Sequence, residues 1–332
     1  MNHQTRVYDD ILELLPDVDH PTPLVRIRRL APVTGFELHA KLEWMNPFGS
    51  VKDRAAAYLL RDLVRQGKLV PGRSAVEATS GNTGLSMAGI AAALGVGMRA
   101  VVPNRVPLEK KVLLRIAGAE LDVINDAVCP SPGMGEGSIN LARTRARAEP
   151  DRYVMPNQYE NELNARAHYE TTGPEIWRQT AGRVTHLFVT LGTCGTAMGC
   201  GRFLKERNPR VKLIALQPSE GHDVPGLRNV SELGVSRLFD PAMIDELIEI
   251  DFELAYTRAL ELARGEGLMA GPSAGLVFEG ACRVAERGGA GVGVMIFPDN
   301  AFKYISSFVK HLPQLAEGTT ADRREHASRT TE

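Results

Sequence analysis

The sequence predicts an α/β protein in which mainly parallel, twisted sheets are flanked by helices, and two observations support this prediction. SAVEA leads through the turn TSGNTG to the helical stretch LSMAGIAAALG and then to the β-branched run MRAVVP. Much later, HLFVTLG leads through TCGT to AMGCGRFLKER and then to VKLIALQ. Strands that alternate with helices across short connections form parallel sheets, which bind ligands at the carboxyl ends of their strands.

Two such units, centred near residues 50–150 and 170–310, indicate two domains, and a length of 332 residues suits about two domains of roughly 150 residues each. Within the first unit, PLEKKVLLRIAG predicts another helix and ELDVI another strand. The stretch VCPSPGMGEGS, residues 128–138, is too rich in Gly and Pro for either, so we expect a flap or a surface insertion centred on Gly133 to Gly137. The polar tail, residues 317–332, is predicted to be disordered.

Composition and charge limit the partners. The chain has 39 Lys+Arg and 40 Asp+Glu, so 39 − 40 gives a net charge of −1 and no field that would capture nucleic acid. The four cysteines lack C-x-x-C spacing and no histidines have metal-ligand spacing, so we expect neither a disulfide framework nor a metal. The N-terminus has no apolar signal core, and no apolar run approaches about 18 residues, so we expect a cytoplasmic protein without membrane association.

One lysine lies where its amine could act as a nucleophile. In NPFGSVKDRAAAYLLRDLV, Ser50 and Asp53 have the spacing of a capping box, which places Lys52 in the first turn of the following helix. The positive end of the helix dipole and burial would both disfavour the charged ammonium, so the pKa of Lys52 is expected to be lowered. The alternative is a solvated lysine beside a helix cap.

Two glycine-bearing turns predict anion sites. Thr79, Ser80, Asn82 and Thr83 crowd the TSGNTG turn, whose free N–H groups suit a carboxylate or a phosphate, although one such side chain would suffice for a helix cap. The second turn, LGTCGT, follows a buried strand and offers a cup of backbone amides. Its glycine spacing matches neither the dinucleotide-binding nor the Walker pattern. At a third helix start, GPSAG, Ser273 stands between glycines, where a helix cap is the simplest role.

The chain carries, in this order, Lys52, the TSGNTG turn, the LGTCGT turn and the helix start GPSAG. With these motifs in this order, it resembles the fold type II pyridoxal 5'-phosphate enzymes, and most closely the cysteine synthase family of O-acetylserine and O-phosphoserine sulfhydrylases. The resemblance extends from PTPLVRI to PDNAFKY, roughly Pro21 to Tyr304. It implies a tryptophan synthase β-like fold with the active site in the cleft between two domains. The implied larger domain comprises residues 1–47 and 160–316 and the smaller one residues 48–159. A homodimer and an amino-acid substrate are also implied.

The resemblance also implies roles for individual residues. Lys52 would form the Schiff base with pyridoxal 5'-phosphate, Asn82 would hydrogen-bond its ring hydroxyl, and Ser273 would face its pyridine nitrogen. The phosphate would lie among Gly192, Thr193, Cys194, Gly195 and Thr196, where Cys194 departs from the glycine or threonine of many family members. The substrate α-carboxylate would be held by Thr79, Ser80, Gly81, Thr83 and Gln158.

The implied chemistry is β-replacement. A serine opposite the pyridine nitrogen cannot strongly stabilise a pyridinium, so the electron sink is weak. Removal of the Cα proton, for which Lys52 is the natural base, should therefore be coupled to loss of a β-leaving group, giving an α-aminoacrylate that adds a nucleophile.

The sequence defines the O-activated serine substrate and the attacking nucleophile less well than the reaction class. Arg228, in GLRN, matches an arginine that binds the substrate phosphate in the O-phosphoserine-using branch, so O-phosphoserine is favoured and O-acetylserine comes next. The alternative for Arg228 is a surface ion pair with Asp223 or Glu232. Cysteine formation from a sulfur donor is the favoured reaction. The sequence leaves four candidate nucleophiles: sulfide, thiosulfate, a thiocarboxylated sulfur-carrier protein and an amine that gives diaminopropionate derivatives. A serine/threonine dehydratase and a non-catalytic scaffold are the remaining alternatives.

Overall fold

The computed structural model describes residues 7–32, 35–104, 106–125 and 137–317, where the chain forms two sheets and their flanking helices. The strands are β1 Leu24–Arg26, β2 Gly35–Leu42, β3 Ser74–Ala78, β4 Gly97–Pro103, β5 Glu120–Ile124, β6 Tyr153–Val154, β7 His186–Thr190, β8 Lys212–Pro218, β9 Glu246–Ile250 and β10 Ala290–Phe297. The helices are α1 Lys52–Arg65, α2 Asn82–Ala93, α3 Leu108–Ile116, α4 Gly137–Ala148, α5 Leu163–Glu170, α6 Thr172–Gln179, α7 Gly195–Arg207, α8 Phe252–Glu266, α9 Pro272–Glu286 and α10 Ile305–His311. Nearly all of the predicted flap and of the predicted tail, and Cys129 with them, lie outside the described residues.

The larger sheet has six strands in the order β1-β2-β10-β7-β8-β9. Only β1 runs antiparallel, to β2, and the other neighbouring pairs of this sheet are parallel. The smaller sheet has the order β5-β4-β3-β6 and all its pairs are parallel. The α/β fold with two mainly parallel sheets flanked by helices is therefore confirmed.

Both sheets are covered on both faces, as parallel sheets require. Successive residues of a strand point to opposite faces, so Phe188 of β7 packs into one apolar core while Leu187 and Val189 pack into another. In β3, Ala75 and Val76 are divided in the same way between the two cores of the smaller sheet. Among the described residues, no helix combines the length and the apolar character needed to cross a membrane.

The two sheets suggest where the domains divide. The strands of the larger sheet come from residues 24–42 and 186–297, and those of the smaller sheet from residues 74–154. This discontinuous arrangement leads us to propose a larger domain of residues 1–47 and 160–316 and a smaller domain of residues 48–159. Helix α1 contacts both α2 and α5, so it lies at the proposed junction.

A buried cluster of charged side chains holds α1 against the larger sheet. Arg54 donates to Glu43 at 2.7 Å and to Glu175 at 2.5 Å, and Lys41 of β2 donates to Glu175 at 2.6 Å. The Thr22 hydroxyl donates to Glu43 at 2.8 Å. Burial alone raises the pKa of Glu43, but the Arg54 guanidinium outweighs burial and lowers that pKa to about 2. The charges compensate one another, so the cluster tolerates burial only while it is complete.

Replacement of Arg54 should therefore be strongly destabilising. We expect Arg54→Met to lower the free energy of unfolding by about 3–5 kcal/mol, because Glu43 and Glu175 would remain buried without their guanidinium. Arg65, on the same helix, makes an exposed ion pair with Asp62, so Arg65→Met is the matched control and should cost less than about 1 kcal/mol. Denaturant unfolding measures both values, and equal losses would contradict the assigned role of the cluster.

Candidate active site

The predicted site residues come together around one cleft. It is lined by the turns that follow β3, β7 and β10, so the carboxyl ends of strands from both sheets meet there. The predicted residues that line it are Lys52, Thr79, Ser80, Asn82, Thr83, Gln158, Gly192, Thr193, Thr196, Arg228 and Ser273. Gly81, Cys194 and Gly195 belong to the same turns but do not line the cleft.

Lys52 is the first residue of α1 and its amine is enclosed at the cleft wall. Burial lowers its pKa, and the Asp299 carboxylate and Cys194 partly oppose that shift. The predicted capping box is wrong in detail, since Val51 is the residue at the cap position. The Asp53 carboxylate accepts the Phe48 N–H at 2.6 Å instead of the Ser50 N–H, and it also accepts the hydroxyls of Ser86 and, at 3.4 Å, Ser50.

The side chains of the turn between β3 and α2 are largely bonded within the chain. The Thr79 hydroxyl oxygen accepts the N–H groups of Gly81 and Gly84 at 3.1 and 3.0 Å. The Thr83 hydroxyl donates to the Gln158 amide oxygen at 2.8 Å, and the Gln158 amide nitrogen donates to the Ala78 carbonyl at 2.8 Å. These bonds connect the turn to the segment that carries Gln158.

The side-chain amide of Asn82 has a fixed orientation. Its nitrogen donates to Asp299 at 2.5 Å, and its oxygen accepts from Lys303 at 3.4 Å. The Tyr304 hydroxyl donates to the same oxygen of Asp299. The other carboxylate oxygen, Oδ1, is buried without a hydrogen-bond partner among the described residues. A Cβ on Gly271 would lie 2.3 Å from this atom, so Asp299 Oδ1 packs against the start of α9.

The turn between β7 and α7 forms a tight backbone cup. Cys194 has φ +66°, in the left-handed region. A Cβ on Gly192 would lie 2.9 Å from the Gly226 carbonyl oxygen, so this position requires glycine. Asn164 donates to the Thr193 hydroxyl at 2.9 Å and so helps to hold the cup in place. Burial raises the pKa of Cys194 to about 11, which keeps the thiol protonated and unreactive.

Ser273 and Arg228 both line the cleft. Ser273 is in the first turn of α9. Arg228 is only 3% exposed, donates to the Glu232 carbonyl at 3.0 Å and lies 5.2 Å from the centroid of the Tyr159 ring. Arg228 is therefore not a surface residue, and its proposed ion pair with Asp223 is wrong because Asp223 pairs with Lys310 and His311.

Comparison with known protein families identifies the family to which this chain belongs. Residues 15–299 match the model of a family described as pyridoxal-phosphate dependent enzymes. The chain belongs to this family. It is therefore an enzyme that uses pyridoxal 5'-phosphate as its cofactor.

The most similar proteins of this enzyme family include cysteine synthases. Cysteine synthase B of Salmonella typhimurium is 40% identical over 288 residues, which cover 87% of this chain and 93% of the relative. Cysteine synthase of Aquifex aeolicus is 38% identical over 294 residues, which cover 86% and 88%. Among solved structures, O-ureido-L-serine synthase is 32% identical with a TM-score of 0.85, over 96% of this chain and 100% of that one. A cysteine synthase from Entamoeba histolytica is 28% identical with a TM-score of 0.80, over 93% of each chain. The chain is accordingly a cysteine synthase-like, pyridoxal-phosphate-dependent transferase.

The residues present fit this cofactor. The Lys52 side chain at the start of α1 and a glycine cup at the start of α7 line one cleft. A cup of amides at a helix N-terminus suits a phosphate.

The sequence interpretation missed several residues of this pyridoxal-phosphate site. They are Lys110, Ser138, Tyr159, Asp299 and Tyr304, all of which line the cleft. For Asp299 a signal was available, because a carboxylate directly follows the apolar strand β10 at its carboxyl end. The others come from helix starts and loops that only tertiary packing brings to the cleft.

A buried carboxyl group lies next to the TSGNTG turn. Glu77 of β3 accepts the Gln158 and Ala78 N–H groups at 3.2 Å each. Burial raises its pKa to about 8, although these N–H groups act in the opposite direction. Below that pKa the folded enzyme therefore holds a proton that the unfolded chain releases near its ordinary pKa of 4.5.

The contribution of Glu77 to the free energy of unfolding should consequently decrease as the pH rises from about 5 to about 8. Glu77→Gln removes this titration, so the stability of the original chain relative to the variant should fall by up to about 1.4 kcal/mol per pH unit in that range. Denaturant unfolding at several pH values measures the difference. Parallel curves for the two proteins would contradict the raised pKa of Glu77.

Proposed function

We propose that this chain performs β-replacement on an O-activated L-serine, with O-phosphoserine favoured over O-acetylserine, and forms L-cysteine from a sulfur donor. The likeness to cysteine synthases supports the reaction class. The observation that carries the donor preference is the burial of the Arg228 guanidinium in the wall of the same cleft as Lys52. A guanidinium binds a phosphate more strongly than an acetyl group, since both its charge and its paired N–H donors match the phosphate oxygens.

Pyridoxal 5'-phosphate supplies an electron sink for the bond electrons released at the substrate Cα. We assign its binding to the residues around the cleft. Lys52 would attach it, Asn82 would hydrogen-bond its ring hydroxyl, Ser273 would face its ring nitrogen, and the segment from Gly192 to Thr196 would bind its phosphate. The position of Asn82 supports this assignment, because its amide lines the cleft and is held by Asp299 and Lys303.

Lys52 is the proposed base for the substrate Cα proton. Burial lowers the pKa of its amine, so the neutral form, which accepts a proton, is more accessible than in water. The Asp299 carboxylate stabilises the ammonium that forms when Nζ takes the proton. Ser273 is a neutral hydroxyl, and its weak influence on the ring nitrogen favours loss of a β-leaving group over transamination.

The substrate would be oriented by its two ends. Thr79, Ser80, Gly81, Thr83 and Gln158 are proposed to hold the α-carboxylate, and the bonds among Thr83, Gln158 and Ala78 support this by keeping the turn and the Gln158 segment in one fixed arrangement. Arg228 would bind the β-phosphate as it leaves. Its bond to the Glu232 carbonyl and its contact with the Tyr159 ring hold the guanidinium in place.

A second candidate function is β-replacement with a nucleophile other than a sulfur donor. O-ureido-L-serine synthase, whose named product carries a ureido group on the serine oxygen, is among the similar structures at a TM-score of 0.85. An amine nucleophile, as in a diaminopropionate-type synthase, would use the same cleft. A thiocarboxylated carrier protein remains a candidate sulfur donor, and a homodimer is the proposed assembly.

Replacement of Arg228 tests the donor preference. In Arg228→Gln we expect kcat/KM for O-phosphoserine to fall about 10- to 100-fold, which is the worth of a charge-assisted hydrogen bond, while kcat/KM for O-acetylserine changes by less than about threefold. Steady-state kinetics with both donors measure this, and O-acetylserine is the internal control for correct folding. A parallel loss with both donors would reject the role of Arg228.

Product analysis tests the reaction class. Incubation with O-phosphoserine and sulfide should yield L-cysteine and phosphate, with little release of ammonia. Stoichiometric ammonia and a keto acid would instead assign a dehydratase. Product formation with an amine but not with sulfide or thiosulfate would favour the second candidate function.

A further inference from the structure

A buried lysine that the proposed mechanism does not use lies against the TSGNTG turn between β3 and α2. Lys110, in the first turn of α3, is 5% exposed and lines the cleft. Its ammonium lies 4.0 Å from the centroid of the Tyr304 ring. A Cβ on Gly81 would be 3.0 Å from Lys110 Cδ and 3.7 Å from its Nζ. The side chain of Lys110 therefore packs on the middle of the TSGNTG turn.

The polar side chains of this turn leave little to neutralise a bound carboxylate. Thr79 accepts two backbone N–H groups, Thr83 donates its proton to Gln158, and Gln158 donates to the Ala78 carbonyl. What the turn offers is neutral: the hydroxyl protons of Thr79 and Ser80, the remaining N–H of Gln158 and the backbone amides at the start of α2. A carboxylate that leaves water for a buried site needs an opposite charge or several strong donors.

We propose that the ammonium of Lys110 binds the α-carboxylate of the amino-acid substrate, with the Tyr304 ring holding the lysine over the turn. This assignment rests on the proposed function and pairs Lys110 and Arg228 with the two anionic ends of O-phosphoserine. Lys110 contacts the TSGNTG turn at Gly81, whereas Arg228 lies beside Tyr159. The face of an aromatic ring attracts a cation, so the Tyr304 ring helps to hold the ammonium beside the turn.

The test separates the carboxylate from the rest of the substrate. L-alanine and L-alaninamide differ in that group and carry no β-leaving group, so both bind to the pyridoxal-phosphate-loaded enzyme without turnover. Their dissociation constants are measured by calorimetric titration for the original chain, Lys110→Met and Lys110→Arg. Lys111 is the next residue of the same helix and donates to the Asn104 carbonyl at 2.6 Å, so Lys111→Met is the matched control.

Lys110→Met should weaken the binding of L-alanine by about tenfold or more and that of L-alaninamide by less than about threefold. Lys110→Arg should retain most of the affinity for L-alanine, and Lys111→Met should match the original chain. Equal weakening of both ligands would show a merely structural role and overturn the proposal. Unchanged binding of L-alanine in Lys110→Met, or no binding of L-alanine to the original chain, would overturn it as well.

Donor kinetics distinguish this inference from the proposed function. If the original chain is inactive with both O-phosphoserine and O-acetylserine but Lys110→Met selectively loses L-alanine, the donor assignment fails and the role of Lys110 stands. If Lys110→Met loses kcat/KM for O-phosphoserine alone, with L-alanine binding unchanged, Lys110 binds the leaving phosphate and the proposal is rejected.

Discussion

The ion pairs of Arg54 with Glu43 and Glu175 are the constraint on which the active cleft depends. Arg54 lies two residues after Lys52 on α1, so the carboxylates that hold the guanidinium also hold the first helical turn. Glu43 follows β2 directly and belongs to the larger-sheet side of the cleft, whereas α1 also packs on α2 of the smaller-sheet side. The cluster thereby fixes the position of the Lys52 amine between the turns that approach it from both sheets.

Opposite charges are distributed around that amine. Lys110 and Arg228 provide positive charge at the cleft wall, where an amino acid with one or two anionic groups would bind. Asp299 provides negative charge near Lys52 and also orients the Asn82 amide. Helices α2 and α7 both begin at the cleft and present backbone N–H groups to it. Anion binding and proton transfer are thus assigned to different, rigidly held groups.

Local sequence patterns predicted much of the fold. In the TSGNTG and LGTCGT units, each strand and helix has its own pattern of apolar residues, and glycine-bearing turns separate them. β3, α2, β7 and α7 follow those predictions closely. The capping box failed because Asp53 satisfies the Phe48 N–H, a choice that only packing reveals. Lys110, Asp299 and Tyr304 were missed for a related reason. Each is an ordinary residue in its own segment, and tertiary packing of α3 and the segment after β10 brings them to one cleft.

Reductive trapping of the cofactor tests the central claim, that this cleft holds pyridoxal 5'-phosphate at Lys52. The purified protein is loaded with the cofactor, reduced with borohydride, digested and analysed by mass spectrometry. The account predicts one cofactor-modified peptide, carrying the group on Lys52, and loss of that peptide in Lys52→Ala. Modification of Lys110 or another lysine in its place, or no modified peptide from the original chain, would contradict it.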